Sequence, residues 1–262
     1  MNSRTVFSRW LVLTLGLVGI VTALSVRAAD TAAPQYYELC VYVTKTDAQR
    51  QRVNDYWQQA AIPAYNRMGV QSVGVFTELE ASATNQVYVL IPFDSLETFA
   101  SAPAKLVADA GYQKAAAGFL DATKDDPAYD HMETSLLVAF DSMKHLVLPP
   151  SDKKPNVFEL RTYMSPGEAK GLNKISMFEH GEIDVMKEVG LAPVFYGRKL
   201  VGDHMPCLVY MTCAESQEAH DQHWKAFGAH AVWKQLQADP QYKDNMVGMI
   251  RVMLRRLPAS QI

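Results

Sequence analysis

Two stretches of this sequence, 121 residues apart, read alike. Tyr37-Glu38-Leu39-Cys40-Val41-Tyr42 and Phe158-Glu159-Leu160-Arg161-Thr162-Tyr163 share an aromatic-Glu-Leu-x-x-Tyr pattern. The same offset carries Gly69 onto Gly190, and Val87-Tyr88-Val89-Leu90 onto Leu208-Val209-Tyr210-Met211. Asp126-Pro127-Ala128-Tyr129 matches Asp239-Pro240-Gln241-Tyr242 at an offset of 113, which implies a short insertion in the first copy near residues 100–115. Matched landmarks in one order mean two copies of a unit of about 100 residues, each large enough for its own core.

Each copy reads β-α-β-β-α-β. In the second, residues 156–163 are rich in aromatic and β-favouring types, and Ser165-Pro166-Gly167 makes a turn. Residues 168–189 read as a helix that Gly190 caps. Residues 192–200 and 207–212 form a hairpin around Gly202-Asp203. A second helical stretch over 215–237 is broken near Gly228, and 245–254 is the closing strand. This order predicts the α+β class, two tandem ferredoxin-like units occupying 36–142 and 156–257, with Pro149-Pro150 marking a linker over 143–155. Helices cover one face of such a sheet. The bare faces of two copies then meet and close an intramolecular dimeric α+β barrel.

The aromatic-Glu-Leu-Arg-x-Tyr strand followed by a Pro-Gly turn resembles the opening of a NIPSNAP domain. Trp224-Lys225-Ala226-Phe227, with Trp233 further on, is similar to that family's tryptophan-rich second helix. The resemblance covers both copies, more strongly the second, and implies the dimeric α+β barrel superfamily. There are departures. The first copy has Cys40 where the second has Arg161 and lacks those tryptophans, and His230-Ala231 stands where the family tends to have Asp-Pro.

The first 28 residues carry Arg4 and Arg9, then an uncharged apolar run from Trp10 to Leu24, then Val26-Arg27-Ala28. That is the layout of a cleavable signal peptide. The run is shorter than the ~20 residues that span a bilayer. It predicts an exported chain, periplasmic or extracellular, whose mature part is not embedded in a membrane. Segment 1–28 holds three arginines and no acid, so its removal takes the 25 basic residues to 22 against 28 acids, a net charge of −6. Nothing in that balance steers the protein to nucleic acid. Cys207 and Cys213 are six residues apart in one strand, about 20 Å, beyond disulfide reach. The cysteines fit buried thiols, while a Cys40–Cys213 bridge requires that their strands adjoin.

Strand alternation puts Phe158, Leu160 and Thr162 on one face and Glu159, Arg161 and Tyr163 on the other. The apolar set suits the helices, so the charged set is expected to point into the barrel. There it serves either as a structural Glu–Arg network or as a pocket for a small ligand. His180, on the first helix beside Gly181, is the candidate general base. Tyr196, Arg198 and Tyr210, from neighbouring strands, are expected to line the same cavity. His220 and His223 are close enough to share a metal, but His230 lies about 10.5 Å further on and no Glu stands between the pair as in a zinc-protease helix. No metal site is expected, His220 and His223 are read as a solvated helix face, and Trp224, Phe227 and Trp233 as its core.

Three readings follow. The first is an exported small-molecule-binding protein with its cavity in the C-terminal lobe. The second, implied by the resemblance to barrel families, is a cofactor-independent or haem-using oxygenase, isomerase or dehydratase, with His180 as the one attractive axial ligand. The third is a structural module with no ligand. Assembly into a homo-oligomer stays open in all three, and no cofactor is otherwise expected.

Overall fold

A computed structural model describes residues 32–80, 85–149 and 155–262. The signal-peptide reading therefore falls outside the described residues. The first copy runs β1 (Tyr36–Val43), α1 (Asp47–Tyr56), a π-helical turn (Trp57–Ala61), α2 (Ile62–Arg67), β2 (Gly74–Glu78), β3 (Val87–Phe93), α3 (Leu96–Ala108), α4 (Ala110–Leu120) and β4 (His131–Ala139). The second runs β5 (Val157–Met164), α5 (Glu168–Met177), a π-helical turn (Phe178–Glu182), α6 (Ile183–Glu188), β6 (Ala192–Val201), β7 (Cys207–Ala214), α7 (Gln217–Ala229), α8 (Ala231–Ala238) and β8 (Gly248–Arg256). The repeat is thus physical down to the π turns, which sit 121 residues apart.

Three sequence expectations shift. The predicted first helix is interrupted by the π turn, where His180 and Gly181 leave helical geometry, Gly181 at φ 145°. Such a φ is open to glycine at little cost. The second helix breaks at His230, not Gly228. The insertion lies later than 100–115. Because α4 and α8 still start 121 residues apart, the eight extra residues belong to α4 and the loop after it.

The strands close one barrel in the order β1-β3-β2-β8-β5-β7-β6-β4. Each copy supplies a four-stranded antiparallel sheet, and two seams join them. One pairs β2 with β8 over Phe76↔Arg256, Thr77↔Arg255 and Glu78↔Leu254. The other pairs β4 with β6. The interior is filled by apolar side chains from both copies, including Tyr37, Leu90, Leu137, Phe158, Leu160, Phe195 and Met211. Phe76 and Phe158 meet at 5.0 Å between ring centroids, and Tyr37 and Phe195 at 5.1 Å. Eight strands give an interior just wide enough for side chains to fill. Two flanking segments join this core. Leu146 of the linker packs against it, and the chain's last residue, Ile262, is buried within it. The linker is anchored as well, Val147 N–H donating to the Val194 carbonyl at 2.9 Å.

The face assignment of β5 is reversed from expectation. Phe158 and Leu160 point into the barrel, while Glu159, Arg161 and Tyr163 lie beneath the helices. The core of the interior is a cluster of apolar side chains, most of them from the strands. A carboxylate there would stay unpaired, which is costly. The helix layer supplies donors, so the charged face turns toward it.

Cys40, Cys207 and Cys213 are free and buried. The Cys40–Cys213 bridge is ruled out by topology, since β1 neighbours β3 and β4 whereas β7 neighbours β5 and β6. Burial pushes the Cys213 thiol up to about 11 and raises Cys40 further. Native protein at pH 8 should therefore react with a thiol reagent at essentially none of its cysteines, and at three after denaturation in guanidinium; rapid labelling of the native state would contradict this burial.

Candidate functional site

The charged face of β5 meets α7. The Glu159 carboxylate is fully buried and receives donors on both oxygens. Arg161 Nε donates to Oε1 at 2.8 Å, and its Nη2 lies 2.8 Å from the same atom. His220 Nε2 is 3.0 Å from Oε2, and Trp224 Nε1–H donates to that oxygen at 2.6 Å. The Arg161 guanidinium carbon lies 3.5 Å from the Trp224 ring centroid, a close cation–π contact. Its Nη1 donates to Tyr163 Oη at 3.1 Å, and Tyr163 shares a hydrogen bond with Tyr210 at 2.9 Å. On the far side of His220, Nδ1 is 3.0 Å from Asp221 Oδ1.

The titration behaviour follows. Burial alone would raise the Glu159 carboxyl, but the His220 hydrogen bond and the Arg161 charge outweigh it and hold the group below its ordinary value. Burial disfavours the His220 cation, but hydrogen bonds to Glu159 and Asp221 outweigh that and raise it above 6.5. The His220 ring and the Arg161 guanidinium flank one carboxylate, a saturated network rather than an open site.

A second buried pair stands nearby. Lys174 Nζ is 2.8 Å from Glu182 Oε2, and both side chains are buried. Eight residues separate them. A π turn absorbs one extra residue, so they share a face as residues seven apart do in an α-helix. The ammonium sits 4.9 Å from the Phe178 ring centroid and 5.5 Å from those of Tyr163 and Trp233. Burial pushes the Glu182 carboxyl up, and the Lys174 charge offsets part of that.

The expected single cavity does not form. Glu159, Arg161, Tyr163 and Tyr210 come together, and Tyr196 packs on Tyr210 with centroids 5.5 Å apart. Their space is filled by Phe178 and by one another. His180 and Arg198 lie elsewhere. Both line an outer cleft of about 420 Å³, together with Pro34, Val138, Ala139, Phe140, Asp141, Leu172, Ile175, Ser176 and Glu179. His180 is exposed, and its Nδ1 lies 2.8 Å from the Ser176 carbonyl oxygen. Arg198 is exposed, with no side-chain hydrogen bond or ion pair among the described residues.

Sequence reasoning missed His220, Lys174 and Glu182 as buried polar groups. The His-rich helix read as solvated, yet His220 is 4% exposed. Its available signal was the need of a buried Glu159 for a cationic partner from the opposite layer. Among the described residues no group of three or more His, Cys, Asp and Glu is placed to hold a metal.

These features define a class: a dimeric α+β barrel protein that carries both halves in one chain. The NIPSNAP family model matches residues 37–142 and 158–261, and the chain belongs to the NIPSNAP family. No curated protein matches it. Among solved structures it is similar to a putative monooxygenase from Lactobacillus acidophilus NCFM, at 10% identity over 85% of this chain and 94% of that one, TM-score 0.57. It is also similar to a putative monooxygenase from Fusobacterium nucleatum, at 11% identity over 86% and 93%, TM-score 0.54. Both likenesses show the fold alone. A haem-binding protein from Thermus thermophilus is more distant, at 6% identity over 86% and 92%, TM-score 0.46. The described residues do not form an enclosed haem site. His180 stands on the outer surface, and the space between sheet and helix is filled by Tyr163, Phe178, Tyr196 and Tyr210.

Two outcomes follow. Because the folded-state value of His220 is raised, its stabilisation is full below about pH 6.5 and is lost as pH rises through that raised value. Unfolding free energies of wild type minus His220→Gln, by urea titration from pH 5 to 9, should shrink with pH; a flat difference would contradict the pairing. Glu182→Gln strands a buried ammonium and should cost about 3–5 kcal/mol. Lys174→Val with Glu182→Ala, which installs the first copy's Val53 and Ala61, should cost less than Glu182→Gln alone by the same measurement.

Proposed function

We propose that this protein binds a small organic anion in the outer cleft of its C-terminal lobe. The observation that carries this reading is Arg198: a guanidinium without a protein partner among the described residues, lining a cleft of about 420 Å³ beside His180. Small-molecule sites are concave, of roughly 300–1,000 Å³, with a few polar groups on an apolar lining. The barrel interior is filled, and the Glu159–Arg161 network satisfies itself, so neither offers comparable room. An arginine fork matches a carboxylate or phosphate with two parallel hydrogen bonds.

The binder is further proposed to act after export, on the layout of residues 1–28. The fold closes its barrel within one chain, so a second copy is not required to complete it. The putative-monooxygenase label of two structural neighbours comes with 10–11% identity, and the binding reading is preferred because it rests on this chain's own residues.

Ligand-observed NMR with a panel of organic acids tests the proposal. Hits should weaken about 10- to 100-fold in Arg198→Ala, the loss of one or two charge-assisted hydrogen bonds at about 1.5–3 kcal/mol. Arg198→Lys should retain part of the affinity. No hits, or hits indifferent to Arg198→Ala, would contradict it. Mass spectrometry of the exported protein should find a chain beginning at Ala29.

A further inference from the structure

The polar groups of the outer cleft are unequal in kind, and that inequality selects a ligand. Arg198 carries donors only. The other polar groups supply mainly acceptors, the Ser176 hydroxyl alone being able to donate as well. The Ser176 carbonyl oxygen can only accept, so His180 Nδ1, 2.8 Å away, carries the proton. In the neutral ring Nε2 is then an acceptor. Asp141 and Glu179 are carboxylates, and Glu179 Oε1 already accepts from the Ser142 N–H at 3.0 Å. The same cleft has apolar lining. Leu172, Ile175 and Ser176 follow the i, i+3, i+4 spacing and so share one face of α5, and Glu179 follows in the π turn. Leu172 is 53% exposed, a large apolar side chain left open at the cleft, and Phe140 packs beneath on Tyr196 with ring centroids 5.9 Å apart.

Resting on the anion-binding reading above, we propose that the cleft takes a small carboxylic acid that also bears a hydrogen-bond donor and an apolar portion, the chemistry of an apolar amino acid or hydroxy acid. The carboxylate meets the Arg198 fork. The hydroxyl or ammonium donates to His180 Nε2 or to the acidic wall. The apolar portion covers Leu172, Ile175 and Phe140. A second carboxylate on the ligand would face Asp141 and Glu179, and like charges at close range oppose binding.

Isothermal titration of the purified protein at pH 7.5 with four matched probes tests this: 3-phenylpropionate, 3-phenyllactate, L-phenylalanine and phenylsuccinate. The expected result is that phenyllactate or phenylalanine binds at least about tenfold tighter than phenylpropionate, and phenylsuccinate more weakly than either. His180→Ala, an exposed position, should keep the wild-type melting temperature and erase most of the donor's advantage, while Arg198→Ala should weaken binding of all four about 10- to 100-fold. Equal binding of phenylpropionate and the donor-bearing probes overturns the inference and leaves the anion-binding cleft standing. Tightest binding of phenylsuccinate overturns the role of the acidic wall. Binding by none of the four overturns the cleft reading itself.

Discussion

Two short seams, β2 to β8 and β4 to β6, decide which way every strand in this protein faces. Each four-stranded sheet has one face under its own helices and one bare face. Closing the sheets against each other makes the bare faces a single dry interior. Side chains alternate along a strand, so a slip of one residue would exchange the two faces throughout. The seam register therefore fixes Phe158 inside and Glu159 outside. Once outside, Glu159 is covered by α7, and burial there demands partners. His220, Trp224 and Arg161 are those partners, and the pinning of α7 to β5 follows from them.

The first copy acts as the fold's internal control. It builds the same elements, with a π turn at the matching place, and carries almost none of the second copy's buried charge. Glu38 stands where Glu159 does, but it is hydrogen-bonded by Thr134 and Cys40, and burial pushes its carboxyl up. Val53 and Ala61 replace Lys174 and Glu182. A buried ion pair is often no more stabilising than well-packed apolar residues of similar volume. The fold thus does without these charges in one lobe and keeps them in the other. In the second lobe they hold the helix segment whose outer side presents Ser176, Glu179 and His180 to the cleft.

Much of this was legible in the sequence. The repeat, the strand order, the closed barrel and Gly190 as a helix terminus, at φ 93°, all follow from pattern and turn chemistry. The facing of β5 did not, because alternation sorts a strand into two faces without saying which is inside. The apolar face was assigned to the helices, as it would be for one isolated sheet. Barrel closure changes that choice by making the interior the drier side. His220 was hidden for a related reason. Among His220, His223 and His230, periodicity alone does not show which one a carboxylate from another layer will reach. The cleft lay beyond sequence reasoning because it combines β4, β6 and α5. Arg198 and His180 were both picked out, but as parts of one cavity with Arg161, which the packed tyrosines exclude.

The central claim is that barrel closure turns the charged face of β5 outward and locks it to α7 through Glu159. A double-mutant cycle between Glu159→Gln and His220→Gln, measured as unfolding free energy at pH 6, tests it most directly. The account predicts a coupling of about 1 kcal/mol or more between these side chains, which stand 61 residues apart in sequence and 3.0 Å apart in space. Effects that add to within about 0.5 kcal/mol would contradict it, since a Glu159 turned into the barrel has no means of sensing a histidine on the outer helix.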